Sequence, residues 1–207
     1  MCGIFGIIDN QDQFLKQKGL RTLADQMIHR GPDDEGFWID YKLGLSLCHT
    51  RLSIIDLSKQ ANQPMSNDDN SIWIVFNGEI YNYLELKSDL KKAGYVFKGN
   101  SDTEVLLAAY LKWGEKFVSK FNGMFAFAIW DKADQLLTLC RDQIGIKPLY
   151  YKELNKAILF SSSLKALKTF LCDDFSINDR LISSFLSYGT IHSPDTIICL
   201  LYTSDAA

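Results

Sequence analysis

Two blocks of strand-forming residues, separated by two helical segments, constrain the fold of this chain most strongly. The first block predicts a strand over residues 3–8 and a hairpin of residues 37–39 and 43–50. The second predicts a hairpin of residues 124–130 and 135–141, joined by a polar turn. Because the helices are clustered and do not alternate with the strands, the pattern favours an α+β fold with largely antiparallel sheets.

The helical segments are bounded by recognisable signals. Ser101-Asp102-Thr103-Glu104 has the sequence of a capping box, in which serine caps the helix and glutamate reaches back to it. Gly94 and Gly114 are expected to end the two central helices. Apolar residues at helical spacing also predict a helix from residue 20 to the glycine and proline near residue 31, and others over residues 164–171 and 178–188.

Two segments are predicted to be irregular. Asn77-Gly78 follows a strand over residues 72–76 and is a strong signal for a tight turn. Residues 58–70 are polar and rich in asparagine and aspartate, so a loop is expected there.

Cys2, directly behind the initiator methionine, is the residue whose position best suits chemistry. If an aminopeptidase removes Met1, Cys2 carries both a thiol and a free α-amine. The thiolate is the nucleophile, and an α-amine with a pKa of about 7.7 to 8.0 can act as its base. The alternative is a buried, inert cysteine at the start of a strand.

Composition and charge narrow the function classes. The net charge of −3 gives no reason to expect nucleic acid or an anionic membrane as a partner. No apolar run approaches the roughly 20 residues of a membrane span, and the N-terminus lacks the pattern of a signal peptide. These features predict a cytoplasmic protein. The five cysteines are scattered without a CxxC pair, so no metal site is expected.

Four further residues suit a reaction at Cys2, although each has a commoner structural explanation. The Asn77 amide and the Gly78 backbone N–H can stabilise an oxyanion, but Asn-Gly is more often only a hairpin turn. Arg51 can bind a carboxylate with its forked guanidinium, whereas most arginines are solvated surface residues. Asp102 can hold a substrate ammonium, or serve only the helix dipole.

Together with longer motifs, these positions resemble one known family. The motifs are Cys2-Gly3-Ile4-Phe5-Gly6, His29-Arg30-Gly31-Pro32-Asp33, His49-Thr50-Arg51-Leu52-Ser53-Ile54-Ile55-Asp56, Phe76-Asn77-Gly78-Glu79-Ile80-Tyr81-Asn82, Ser101-Asp102-Thr103-Glu104, Asn122-Gly123-Met124-Phe125-Ala126-Phe127 and Arg141-Asp142-Gln143-Ile144-Gly145-Ile146-Lys147-Pro148-Leu149-Tyr150. They resemble class II glutamine amidotransferase domains, and the residues of these motifs are most similar to those of glutamine-hydrolysing asparagine synthase. The resemblance covers roughly residues 2 to 170 in the family's order.

The resemblance implies a fold and a reaction. The fold is that of N-terminal nucleophile hydrolases, a four-layer αββα arrangement with two packed antiparallel sheets. The reaction requires removal of Met1. Cys2 then attacks the side-chain amide of L-glutamine, releases ammonia and leaves a thioester that water hydrolyses to glutamate.

The resemblance also implies a set of site residues. Cys2, Asn77 and Gly78 are the implied catalytic residues, with the last two forming the oxyanion hole. The implied glutamine-binding residues are Arg51 for the α-carboxylate, Leu52, Ser53, Ile54 and Ile55 lining that side, Asn77 and Gly78, and Asp102 with Glu79 for the α-ammonium. Because an N-terminal amine makes a histidine base unnecessary, His29 and His49 are interpreted as structural.

The same resemblance divides the chain into three parts. Residues 2–172 would form the glutaminase domain, residues 173–198 the start of a truncated synthetase domain, and residues 199–207 a tail unlike the family. In the family the synthetase domain activates a carboxylate with ATP. ATP and Mg²⁺ are therefore expected only for that missing domain, and no cofactor for the glutaminase domain. The glycine-rich SGGxDS loop that would bind ATP pyrophosphate does not occur in the 207 residues.

The expected partners are L-glutamine and, in a full-length protein, the synthetase domain, with a homodimer left open. Three functions are open at this point. The ammonia acceptor is aspartate, as in asparagine synthase, or it is another acceptor such as a sugar or a cell-surface polymer. The third option is a catalytically silent regulatory domain, which the loss of Cys2, Arg51, Asn77 or Asp102 would favour; all four are present.

Overall fold

Four layers, in the order helices, sheet, sheet, helices, make up the chain in its computed structural model. The structure describes residues 1–9, 19–154, 157–171, 176–192, 194–196, 198 and 201–203. The layers confirm the predicted α+β class with two packed antiparallel sheets. Within the described residues, no helix is long and apolar enough to cross a bilayer.

The strands form a six-stranded and a four-stranded sheet within the described residues. Their bounds are β1 Gly3–Asp9, β2 Asp34–Asp40, β3 Leu45–Arg51, β4 Met65–Ser66, β5 Ile72–Ile80, β6 Gly123–Asp131, β7 Leu136–Arg141, β8 Tyr150–Leu154, β9 Ala157–Ser161 and β10 Tyr202–Thr203. The first sheet has the order β10-β8-β9-β1-β3-β2, and the second has the order β4-β5-β6-β7. Neighbouring strands are antiparallel throughout both sheets.

Most of the helices cover the outer faces of the two sheets. Their bounds are α1 Leu20–Asp25, α2 Tyr83–Lys92, α3 Asp102–Trp113, α4 Leu164–Leu171 and α5 Asp179–Tyr188, with 3₁₀ helices at Lys59–Ala61 and Gly114–Lys120. Helices α1 and α4 pack on the first sheet through side chains such as Leu23 and Leu167. Helices α2 and α3 pack on the second sheet through side chains such as Leu90 and Leu106.

A third apolar cluster joins the inner faces of the two sheets. Ile4 and Leu47 of the first sheet pack there against Val75 and Ala126 of the second, with Phe160 also buried in the cluster. Burying one such large aliphatic or aromatic side chain contributes about 1.5–3 kcal/mol relative to exposing it. This cluster therefore fixes how the strands of one sheet lie over those of the other.

Both predicted hairpins are present, with modest shifts of their ends. Residues 37–39 and 43–50 lie in β2 and β3, and residues 124–130 and 135–141 in β6 and β7. The predicted helix from residue 20 is shorter than expected, since α1 ends at Asp25 and irregular turns follow. The predicted loop over residues 58–70 contains a 3₁₀ helix and β4.

The predicted tight turn at Asn77-Gly78 is wrong. Both residues lie inside β5, with Asn77 opposite Ala126 and Gly78 opposite Phe125. A Cβ atom on Gly78 would lie only 2.4 Å from the carbonyl oxygen of Met124. The glycine is therefore required by the close approach of β6, which a two-residue sequence signal does not reveal.

The predicted capping box is half correct. The Ser101 hydroxyl accepts a hydrogen bond from the Glu104 N–H at 3.2 Å, as expected. The Glu104 carboxylate does not return to Ser101 but accepts from the N–H groups of Lys98 and Gly99. The glutamate thus ties the preceding loop to the start of α3, which carries Asp102.

We expect Gly78→Ala to lower the free energy of unfolding by about 1–3 kcal/mol, because the new methyl group would overlap the backbone of β6. Gly19→Ala is the matched control, since a Cβ there meets no atom within 4 Å. Its effect should stay within about 0.5 kcal/mol. Urea unfolding followed by circular dichroism measures both variants, and equally small effects would contradict the placement of Gly78 inside the strand.

Candidate active site

The two sheets bring residues from distant parts of the chain to one end of the space between them. Alternate residues of a strand share a face. His49 therefore faces the second sheet together with Leu47, and Asn77 faces the first sheet together with Val75. Cys2 precedes β1 on the same face as Ile4, because it lies two residues before it.

A pocket of about 340 Å³ opens at this end. The structure brings all the predicted site residues to its wall: Cys2, Arg51, Leu52, Ser53, Ile54, Ile55, Asn77, Gly78, Glu79 and Asp102. Met1 and His49 line it as well, whereas His29 does not belong to this lining. Sequence reasoning missed Gln63, Met124 and Lys147, which also line it.

The Cys2 thiol is held against the backbone that follows β3. The Leu52 N–H donates to Cys2 Sγ at 3.4 Å, and Sγ lies 3.7 Å from the Leu52 carbonyl oxygen. Burial raises the pKa of the Cys2 thiol, although the Leu52 hydrogen bond, the Met1 ammonium and Arg51 act in the opposite direction. A thiol with a raised pKa is neutral at pH 7, so the site needs a base to make a thiolate.

The loop over residues 29–33 supports Cys2 from the other side. Arg30 Nε donates to the Cys2 carbonyl oxygen at 3.1 Å. Gly31 lies so close to β3 that a Cβ would approach the Thr50 carbonyl carbon and oxygen to 2.3 Å. Asp33 accepts a hydrogen bond from the Ser53 N–H at 2.7 Å. The loop therefore fixes both the nucleophile and the pocket wall.

The Asn77 side chain lacks the partners that a buried amide normally has. Asn77 is 1% exposed, and neither Oδ1 nor Nδ2 has a hydrogen-bond partner among the described residues. An unsatisfied buried polar group costs about 1–3 kcal/mol. An amide kept at this cost beside the thiol is suited to a ligand that completes its hydrogen bonds.

The Gly78 N–H points to the edge of β5 that faces away from β6. Alternate N–H groups of an antiparallel strand point to one edge. On either side of Gly78, the Phe76 N–H donates to Gln63 Oε1 at 2.6 Å, and the Ile80 N–H donates to Asp102 Oδ2 at 3.1 Å. Phe125, opposite Gly78, directs its own N–H to Asp142 instead. The Gly78 N–H is therefore presented to the pocket between two satisfied neighbours.

The Arg51 guanidinium is partly committed to the loop that follows it. Its two terminal nitrogens donate to the carbonyl oxygens of Asp56 and Ser58 and to Asn62 Oδ1. A guanidinium has five N–H donors, so two remain without a partner in the described part of the chain. Arg51 is 7% exposed and lines the pocket, which suits it to grip an anionic group.

Asp102 places a buried carboxyl group in the same pocket. It is 5% exposed, and its hydrogen bonds come from backbone N–H groups, including that of Ile80. Burial raises the pKa of the Asp102 carboxyl to about 6, although these hydrogen bonds oppose the effect. No ion pair to Asp102 is formed within the described ranges. At pH 7 the carboxylate is therefore ready for a cationic group of a ligand.

His49 is held between the sheets beside Asn77. Its ring is 1% exposed, and Nε2 lies 3.2 Å from the Phe76 carbonyl oxygen. Burial lowers the pKa of His49 to about 4. The described residues contain no group of three His, Cys, Asp or Glu side chains placed to hold a metal ion.

Comparison with known proteins agrees with this geometry. The family model of the glutamine amidotransferase domain matches residues 1–203. This chain belongs to the glutamine amidotransferase domain family.

Individual relatives support the membership. The chain is similar to asparagine synthetase [glutamine-hydrolyzing] 1 of Bacillus subtilis, with 42% identity over 200 residues that cover 95% of this chain and 31% of that protein. It is also similar to amidase chry2 of Gibberella zeae, with 38% identity over 82% of this chain and 27% of that protein. The chain thus spans about a third of the length of these relatives.

The fold has solved counterparts. Glutamine phosphoribosylpyrophosphate amidotransferase of B. subtilis superposes with a TM-score of 0.65 and 20% identity, covering 82% of this chain and 43% of that one. The implied N-terminal nucleophile hydrolase fold of the amidotransferases is therefore confirmed.

We expect Asp102→Asn to stabilise the unliganded chain above pH 6. The pKa of this carboxyl is about 6 in the folded chain and 3.8 in the unfolded one, so the folded chain binds the proton more tightly. The stability of the parent chain therefore falls as pH rises from about 4 to about 6, because the buried carboxylate becomes charged. Asparagine cannot ionise, so the variant does not lose this stability. The gain at pH 8 should be about 1–2 kcal/mol and should vanish near pH 4.

Urea unfolding of both chains at pH 4, 6 and 8 measures this effect. Asp89→Asn is the control, because Asp89 lies on the exposed face of α2 with 64% of its side chain accessible. It should bring no comparable gain. A destabilised Asp102→Asn chain at pH 8, or a gain that does not depend on pH, would contradict the description of this carboxyl.

Proposed function

We propose that this chain hydrolyses the side-chain amide of L-glutamine to glutamate and ammonia. The observation that carries the proposal is one pocket that combines a half-buried thiol, an amide without a partner among the described residues, and two oppositely charged groups. Arg51 and Asp102 suit the two charges of an α-amino acid, and Asn77 with Gly78 suits the oxyanion that forms at its side-chain amide. Residues 52–55 and Glu79 complete the glutamine-binding wall.

The proposed mechanism begins with removal of Met1, which frees the α-amine of Cys2. The amine takes the thiol proton, and the thiolate attacks the amide carbon of glutamine. The tetrahedral oxyanion accepts hydrogen bonds from Asn77 Nδ2 and the Gly78 N–H. The protonated amine then gives its proton to the leaving nitrogen, so that ammonia departs and a thioester remains.

Water completes the cycle in the proposed second step. It attacks the thioester carbon while the Cys2 α-amine accepts one of its protons. The oxyanion occupies the same two donors, the thiolate leaves, and glutamate is released. The thiolate recovers the proton from the amine, which restores the starting state.

The direct test is release of glutamate from L-glutamine by the purified chain, with Cys2→Ala as the control. We expect activity in the parent chain and at least a 10³-fold loss in the variant, roughly the scale seen when a nucleophile is removed. N-terminal mass measured on the same sample shows whether Met1 is gone. Equal activity in the two chains, or none in a folded chain without Met1, would refute the proposal.

The role of Arg51 has a test based on the substrate. 4-Aminobutanamide is glutamine without its α-carboxylate, so it cannot accept from the two Arg51 N–H donors that have no partner among the described residues. We expect the parent chain to prefer glutamine by at least about 10²-fold in kcat/KM, and Arg51→Met to lose most of this preference.

A matched variant separates substrate binding from loop support. Asn62→Ala removes one of the loop groups that Arg51 holds but leaves the guanidinium in place. This variant should keep the preference for glutamine even if its overall rate falls. Loss of the preference in Asn62→Ala, or its survival in Arg51→Met, would show that Arg51 does not bind the carboxylate.

We further propose that a longer protein containing this chain transfers the ammonia to aspartate in an ATP-dependent, Mg²⁺-requiring reaction. The proposal is supported by the similarity to B. subtilis asparagine synthetase. The second candidate is another acceptor, since the chain is also similar to a protein that is named an amidase and not an asparagine synthetase. Asparagine formation from aspartate, glutamine and ATP by the full-length protein tests aspartate as the acceptor. If the full-length protein hydrolyses glutamine but forms no asparagine, the result supports another acceptor.

The domain boundaries, the cellular location, the oligomeric state and the cofactor requirement stay predictions. The boundary predicted at residue 172 lies outside the described residues, as do residues 199, 200 and 204–207 of the predicted tail. Residues Tyr202–Thr203 pair with β8. The predicted synthetase segment over residues 173–198 includes α5, which buries none of its side chains. The cytoplasmic location, the homodimer and the absence of a cofactor in the glutaminase part are likewise predictions.

A further inference from the structure

His49 has a tautomer that its contacts define. Among the described residues, its Nε2 has the Phe76 carbonyl oxygen as partner at 3.2 Å, and a carbonyl oxygen can only accept. The ring hydrogen of the neutral imidazole is therefore on Nε2, and Nδ1 carries a lone pair. Nδ1 is buried and has no hydrogen-bond partner within the described chain.

Two other unsatisfied buried groups belong to Asn77, the residue after Phe76. Both amide atoms of Asn77 are buried without a partner in the described ranges, and Asn77 and His49 line the same pocket. The His49–Phe76 hydrogen bond spans the two sheets and fixes the backbone immediately before Asn77. The imidazole is thus bonded to the backbone next to the proposed oxyanion hole, and it carries a buried, unpartnered acceptor among the described residues of the same pocket.

A lone pair in this place distinguishes the two ends of the Asn77 amide. If Asn77 Oδ1 faced His49 Nδ1, two lone pairs would repel each other. If Asn77 Nδ2 faced it, an N–H group could donate a hydrogen bond to the lone pair. We propose that, when glutamine occupies the pocket, Asn77 Nδ2 donates one hydrogen to His49 Nδ1 and the other to the oxyanion. His49 is then a positioning residue of the oxyanion hole, an inference that rests on the proposed glutaminase function.

His49 does not act as a base in this arrangement. Burial lowers the pKa of its imidazole to about 4, with Arg51 acting in the same direction and Asp34 and the Phe76 hydrogen bond opposing it. The ring is therefore neutral where glutamine hydrolysis would be assayed. Its part is to hold a hydrogen-bond acceptor in place, while the proton transfers remain with the Cys2 α-amine.

Two conservative substitutions separate the two nitrogens. In His49→Gln the terminal amide can replace Nε2 and keep the bond to Phe76 while the acceptor at Nδ1 is lost. In His49→Asn the side-chain oxygen falls near Nδ1 and keeps the acceptor, while the bond across the sheets is lost. We therefore expect His49→Gln to be the more stable of the two variants and His49→Asn to be the faster in turnover.

We expect His49→Gln to keep a parent-like Tm and KM but to lose roughly tenfold in kcat, less than the 10²–10³-fold that follows loss of an oxyanion donor itself. His49→Asn should have a lower Tm and keep kcat within about threefold of the parent chain. The proposal is overturned if His49→Gln keeps a parent-like kcat, or if the variant with the lower Tm also has the lower kcat. Either result would mean that His49 has only a structural role.

Nitrogen-15 NMR supplies a readout that does not depend on turnover. In the Cys2→Ala chain saturated with glutamine, His49 should show hydrogen on Nε2 alone and a ¹⁵N–¹⁵N coupling between its Nδ1 and Asn77 Nδ2. Hydrogen on Nδ1, or no coupling in the saturated complex, would refute the inference while leaving the glutaminase function intact. A parent chain that releases no glutamate would instead remove the function, and the inference with it.

Discussion

The apolar contact between the two sheets is the interaction on which the site depends. Cys2 stands at the start of β1 in one sheet and Asn77 lies inside β5 of the other, so neither sheet alone forms the pocket. Ile4 and Val75, two residues from each of them, are buried in the shared cluster. Because close-packed side chains leave little room for sliding, this cluster sets the distance between nucleophile and amide.

The pocket keeps several polar groups at a cost to stability. The Asn77 amide and His49 Nδ1 are buried without partners among the described residues, and the Asp102 carboxyl has a pKa raised to about 6 by burial. After its bonds to the loop, Arg51 retains two N–H donors that have no partner in the described part of the chain. The Asn77 amide and the Asp102 carboxyl destabilise the empty chain and are groups that a zwitterionic amide substrate would satisfy, which is the usual relation between stability and function at an active site.

The sequence predicted much of this arrangement, and its failures have a common cause. The hairpins and the Ser101 cap depend on local signals, and both were found where expected. Asn77-Gly78 has the local sequence of a turn but lies in a strand, because the backbone of β6 that pairs with it is remote in sequence.

The same limit explains the pocket residues that were missed. Gln63 bonds the Phe76 N–H and the Thr103 hydroxyl, and its role becomes visible only when the loop, β5 and α3 are brought together. The motifs located the site, whereas the packing of the sheets determined how its groups face one another.

The most direct test of the proposed site is a crystal structure of the chain after reaction with a glutamine analogue that carries a thiol-reactive ketone in place of the amide. We predict one adduct, at Cys2, with its oxygen within hydrogen-bond distance of Asn77 Nδ2 and the Gly78 N–H. We also predict that Arg51 holds the α-carboxylate of the analogue and Asp102 its α-ammonium. An adduct at Cys48 or Cys140, or an oxygen turned away from β5, would contradict the proposed site.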